Sequence, residues 1–215
     1  MVFSVGMVLA ARHYPGGYDW PYTVISALAS QKHNPAGNAW FAGALCLSMV
    51  LLWLYVSMIS PGLRRSLPSA AKYTIASLRA GIIFAAVVGV ERLLFRDISS
   101  WLYKSHELLA LVAILTLYCG ILGLLIQAMQ RQKIYLWPVV LVATPLLVIF
   151  ITQFWLYIQQ SDLGWTGTGW REKGIPFWLS FAFWQWLEIV FLWIGLGLLY
   201  FRHSVNEKED RGIKY

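Results

Sequence analysis

Residues 106–129 read HELLALVAILTLYCGILGLLIQAM, a run whose one formally charged group at neutral pH is Glu107, at its start. A helix over this stretch rises about 36 Å at 1.5 Å per residue, enough to cross a hydrocarbon core about 30 Å thick. Working outward, runs of the same kind occupy about 38–59, 74–95, 135–158 and 177–201. Turn residues punctuate them: Asn34-Pro35 and Pro61-Gly62 flank the 38–59 run, Pro68 precedes 74–95, and Gly174 and Pro176 precede 177–201. Pro138 falls in the first turn of its run, where a missing N–H costs nothing, whereas Pro145 lies deeper and predicts a kink.

Residues 1–12 form a sixth apolar segment, too short by itself to cross a bilayer. They lack a basic leader, and Arg12-His13-Tyr14-Pro15 is a poor cleavage context, so we read a short first transmembrane helix and not a signal peptide. Between the first two helices, YDWPYTVISALASQ (18–31) is too polar to span. Its Trp20, Val24, Ile25 and Leu28 recur at helical spacing, which predicts a short helix lying along the interface. Residues 202–215 form a polar tail. The expected fold class is therefore all-α: a polytopic membrane protein, one transmembrane domain over residues 1–215 built as a six-helix bundle.

Composition agrees. The chain is 59% hydrophobic and 13% charged, where soluble domains carry about 25% charged residues. A formal charge of +7 would suggest nucleic acid in a soluble protein, but here the basic residues sit in bridges between apolar runs, which points to topology and anionic lipid. Arg64, Arg65, Lys72, Arg79, Arg131, Lys133, Arg202, Lys208, Arg211 and Lys214 share one side, ten of the 17 basic residues. The positive-inside rule then places both termini in the cytoplasm, at the cell membrane. Aromatics such as Trp20, Tyr22, Trp40, Trp137 and Trp178 crowd the ends of the runs, as an interfacial belt does.

Cys46 and Cys119 lie inside apolar runs with no metal-ligand spacing. The histidines, His13, His33, His106 and His203, have no i, i+4 pairing. No P-loop or dinucleotide fingerprint is present, so the sequence implies no metal and no cofactor. An ionisable group inside a membrane segment is a functional candidate by default. Glu188, in FWQWLEIVFLW with Gln185 one turn earlier on the same face, is the clearest such group. Its plainer reading is a hydrogen-bonded carboxyl tying helices together. Glu91-Arg92 closes the 74–95 run, and His106-Glu107 opens the next, where the helix dipole favours a carboxylate. Asp19 and Ser26 lie in the first loop, facing the same side. Asp19, Ser26, Glu91, Arg92, His106 and Glu188 thus form the candidate ligand site. Ser26, His106 and Asp19 are also the residue types of an acyl-transfer set, but no G-x-S-x-G supports them. Whether the chain is an enzyme stays open on these residues.

Two stretches carry a family resemblance. In 25–52, Ile25, Ser26, Leu28, Asn34, Pro35, Trp40, Phe41 and Gly43 follow an I-S-x-L segment, an N-P turn, then an aromatic and a glycine entering a helix. In 87–117, Gly89, Asp97 and His106 match a glycine, a turn aspartate and a histidine opening the next helix. Over roughly residues 18–125 the chain resembles six-span proteins of the DRAM/Sfk-like superfamily. The resemblance implies six helices and a role among membrane lipids, without one shared reaction. The expectation is a pocket on the outward side that binds or remodels a lipid or lipid-linked head group. The alternatives are an accessory subunit of a larger membrane complex, with other membrane subunits as partners, and a small-solute or proton transporter centred on Glu188.

Overall fold

The structure, a computed structural model, describes residues 1–66, 68–94, 105–131, 136–159 and 170–210. Within them all regular structure is helical. The helices are α1 (Val2–Arg12), α2 (Asn38–Ser66), α3 (Pro68–Leu94), α4 (Ser105–Arg131), α5 (Leu136–Gln159) and α6 (Phe181–Asp210). Short 3-10 turns occupy Ile25–Ala29 and Phe177–Leu179. Chain-order neighbours pack on one another, and α6 closes back onto α4. The ends of α1, α3 and α5 therefore meet the starts of α2, α4 and α6 at one end of the bundle, called here the loop end.

Several limits differ from the sequence expectation. The helix from Asn38 does not stop near residue 59 but continues through Pro61 to Ser66. A proline is tolerated where neighbouring groups can satisfy the freed backbone. The carbonyls that Pro61 and, inside α5, Pro145 deprive of a helical donor are those of Ser57 and Leu141. One residue before each proline, the Ser60 hydroxyl donates to the adjacent Val56 carbonyl and the Thr144 hydroxyl to the adjacent Val140 carbonyl at 2.6 Å. Helix α3 starts earlier than expected because Pro68 takes its first position, where its fixed φ suits a helix. Residues 177–179 make a 3-10 turn and α6 starts at Phe181, because Ser180 caps it: the Ser180 Oγ accepts from the Phe183 N–H at 3.1 Å. At its other end α6 continues to Asp210, so residues 202–210 of the polar tail are helical. Segment 18–31 forms no α-helix. Ile25 and Leu28 are buried within its 3-10 turn, while Trp20 faces outward.

The central seam is α3 against α4. A β-carbon on Gly81 would lie 2.9 Å from the Leu117 backbone nitrogen, and one on Gly120 would lie 3.1 Å from that of Leu78. Small residues here let the backbones approach, as they do in apolar solvent where close packing joins helices. Polar side chains reinforce the seam: Ser77 Oγ donates to the Thr116 carbonyl at 2.7 Å, and Gln127 Nε2 donates to Thr74 Oγ1 at 2.8 Å.

The outer faces are apolar. Leu47, Val50, Leu54 and Met58 stand exposed along α2, and Leu108, Leu111 and Leu115 along α4. Soluble monomers rarely expose contiguous apolar faces of this kind. Among the described residues, three helical stretches are long and apolar enough to cross a membrane: Asn38–Arg64, Ala71–Leu94 and Leu108–Gln127, with 27, 24 and 20 residues. Val2–Arg12, Leu136–Ile149 and Phe181–Gly197 are shorter apolar helical stretches.

Candidate functional site

The first loop is fastened over the loop end by side chains that bond backbone groups from distant elements. Asn34 is fully buried, and its Nδ2 donates to the Ala10 carbonyl at the end of α1 (3.0 Å) and to the Leu28 carbonyl (3.1 Å). Its own carbonyl accepts from the Asn38 N–H at 2.9 Å, starting α2. Gly37 must be glycine for this crossing, since a β-carbon there would sit 2.6 Å from the Ala10 carbonyl oxygen. The Ile25 N–H donates to Gln185 Oε1 on α6 at 3.0 Å, Tyr22 donates to the Ile175 carbonyl at 3.1 Å, and Ser180 donates to the Pro21 carbonyl. Gln31 Nε2 reaches the Arg92 carbonyl on α3 at 3.3 Å. Tyr18 donates to the Thr23 carbonyl at 2.7 Å, and burial pushes its phenol pKa up.

Beneath this cap lies a cavity of about 630 Å³, within the size range of small-molecule sites. It is lined by the start of α1, by α2, α3, α4 and α6, and by the 3-10 turn. On α2 the lining residues Phe41, Leu45, Ser48, Leu52 and Tyr55 repeat at helical spacing, so the cavity follows that helix for about 20 Å at 1.5 Å per residue. On α6 the matching face is Gln185, Glu188, Ile189, Leu192 and Leu196. Among the described residues α6 packs chiefly on α5 and α4 and little on α2, which leaves this space between α2 and α6. Leu51 on α2 and Trp193 on α6 line the cavity yet are 48% and 37% exposed. The cavity therefore opens sideways between the two helices.

Polar groups concentrate at its loop end, where Ser26, Arg92, Gln185 and Glu188 line it; deeper in, the hydroxyls of Ser48 and Tyr55 are the polar members. The site expected from sequence was polar, whereas the cavity found is an apolar slot with a polar end. The apolar lining comes from alanine, leucine, isoleucine and methionine on several helices, which nothing in a linear sequence marks as belonging together.

Three of the six candidate residues, Ser26, Arg92 and Glu188, line this one cavity. Glu188 is 6% exposed and faces the interior. The Tyr118 hydroxyl donates to its backbone carbonyl at 2.9 Å, and no side chain among the described residues bonds its carboxyl. Glu91 is half-buried and outside the lining. It neighbours Arg92, and consecutive helical residues point about 100° apart. Asp19 lies at the surface, where its Oδ1 pairs with Arg171 Nη2 at 3.0 Å. It does not join Ser26 in the cavity, so the arrangement gives no acyl-transfer set built on Asp19. His106 is in the first turn of α4, but its side chain lies outside the described residues.

Sequence reasoning missed Ser48, Gln185's bond to the loop, and Arg171. Ser48 is a lone hydroxyl in an apolar helix, and its Oγ is buried with no hydrogen-bond partner. Arg171 lies over the Tyr22 ring at 5.0 Å as well as pairing with Asp19, a link across about 150 residues that no local pattern announces. Among the described residues no group of three or more His, Cys, Asp or Glu side chains comes together as a metal site requires. Comparison with protein-family models, with curated proteins and with solved structures finds no match for the chain.

Proposed function

We propose that this chain is a six-span membrane protein that binds an amphiphilic lipid, its acyl chain laid along the slot between α2 and α6 and its polar group at the loop end. The observation that carries this reading is the cavity's shape and chemistry together. It is long and apolar along the helix axis, polar at one end, and open sideways where the outer faces of the bundle are apolar. An acyl chain can enter such a slot without passing through water. A water-soluble ligand would have to cross the fastened loop. In this reading α1, α5 and α6 also span, the first loop lies along the interface, and both termini are cytoplasmic. Kinship with the DRAM/Sfk-like proteins belongs to the same proposal.

Mild-detergent purification followed by native mass spectrometry tests it. A lipid should co-purify with the wild type, and Ala110→Trp, which fills the slot from α4, should lose it while the protein stays monodisperse. Absence of lipid together with a stable co-purifying subunit would overturn the reading in favour of an accessory role. Orientation is decided by labelling Lys173→Cys and Lys72→Cys in intact cells. An impermeant reagent should reach only the first, and labelling of the second alone reverses the assignment.

A further inference from the structure

Resting on that reading, we propose that Glu188 is the specificity-determining residue of the slot and selects amphiphiles whose polar group carries a protonated amine. The carboxyl of Glu188 belongs to a side chain that is 94% buried (6% exposed), lines the cavity, and has no hydrogen-bond partner among the described residues. An ionised carboxylate in apolar surroundings is costly unless a counter-charge and donors reach it. Among the described residues the chain itself brings no cation within ion-pair distance of this group. An ammonium group supplies both the charge and three donors, whereas a hydroxyl supplies one donor and no charge. A carboxylate or phosphate head group would be repelled.

Two neighbours bear on the choice. Arg92 lines the same end and would favour an anion there, so the wild-type comparison of amine with carboxylate sets the two residues against each other. Gln185 holds the Ile25 N–H through its Oε1, so its acceptor oxygen is engaged by the loop. Ser48 Oγ, deeper in the same lining and without a partner, is a hydroxyl that can donate as well as accept and so does not discriminate between head groups. The slot therefore keeps donors (the Gln185 Nε2 and the Arg92 guanidinium) as well as hydroxyls, and the Glu188 carboxyl is the group in its lining that calls for a cation.

The experiment uses the full chain in mild detergent and three amphiphiles with the same hexadecyl chain: an amine, an alcohol and a carboxylate. Their occupancies are compared by native mass spectrometry, for the wild type, Glu188→Gln and Ala110→Trp. The amine should bind at least about tenfold more tightly than the carboxylate, as a charge-assisted buried bond implies. Glu188→Gln should abolish that preference while still binding all three through the chain, and Ala110→Trp should bind none. Equal wild-type binding of the three head groups, or preference for the carboxylate, overturns the amine inference and leaves the lipid slot standing. No binding of any of them overturns both. Because the wild-type series alone tests selectivity, the inference does not depend on the folding of Glu188→Gln.

Discussion

Two seams of the same bundle are built on opposite plans. Between α3 and α4, glycines bring backbones together and Gln127, Thr74 and Ser77 bond across the contact. Between α2 and α6 the facing side chains are Leu45, Met49, Leu52, Ile189, Leu192 and Leu196, and they enclose space. In a lipid solvent apolar bulk does not by itself draw helices together, because lipid tails are as apolar as leucine. Small residues and polar bonds do, and the α2–α6 seam has few of either. The difference explains how one bundle can be closely packed on one side and leave a cavity on the other.

The largest effect should come from breaking the tight seam. Gly120→Leu drives a side chain into the Leu78 side chain and, behind it, its backbone nitrogen, and overpacking of this kind costs about 3 kcal/mol. Loss of the monodisperse peak in detergent is the expected readout; an unchanged unfolding midpoint would mean that the seam yields and the contrast is overstated. Next, the same truncation should cost different amounts on the two sides. Leu78→Ala, from a residue 1% exposed, should cost about 4 kcal/mol, and Leu192→Ala, beside space that already exists, about 2 kcal/mol. Equal losses in thermal unfolding would show the slot to be as well packed as the seam. The smallest effect is expected for Thr74→Val, which removes the Gln127 bond at 2.8 Å and should cost about 0.6 kcal/mol, as interhelical bonds in membrane proteins average.

The helices were legible in the sequence where apolar length alone decides them, as in 106–129. Their ends were legible only where local chemistry acts alone. Ser180 is a recognisable cap placed before FAFWQWLE, and it outweighs the apolar character of Phe177, Trp178 and Leu179, which had suggested an earlier start. Pro61 looked like a stop and is carried within α2, because whether a proline ends a helix depends on what surrounds it. In the site, the i, i+3 spacing of Gln185 and Glu188 put both on one face before any coordinates, and both line the slot. Asp19 and Glu91 could not be sorted from Ser26 and Arg92 by type. Their separation depends on Arg171 arriving from the far end of the chain and on which way one helical turn points.

The bonds that fasten the first loop have a consequence for synthesis. Ile25 and Gln185 are 160 residues apart, and at about 5–20 residues per second their synthesis is separated by roughly 10–30 s. Throughout that interval the loop lacks the acceptor that holds its 3-10 turn, and the carbonyl of Pro21 lacks Ser180. Helices α1 to α4 can be made and paired while the roof above them is held by the bonds of Asn34 and Gln31 without those to Gln185 and Ser180. A chain arrested before residue 180 thus holds its first loop without two of the bonds that fasten it, and its cavity without the wall that α6 supplies.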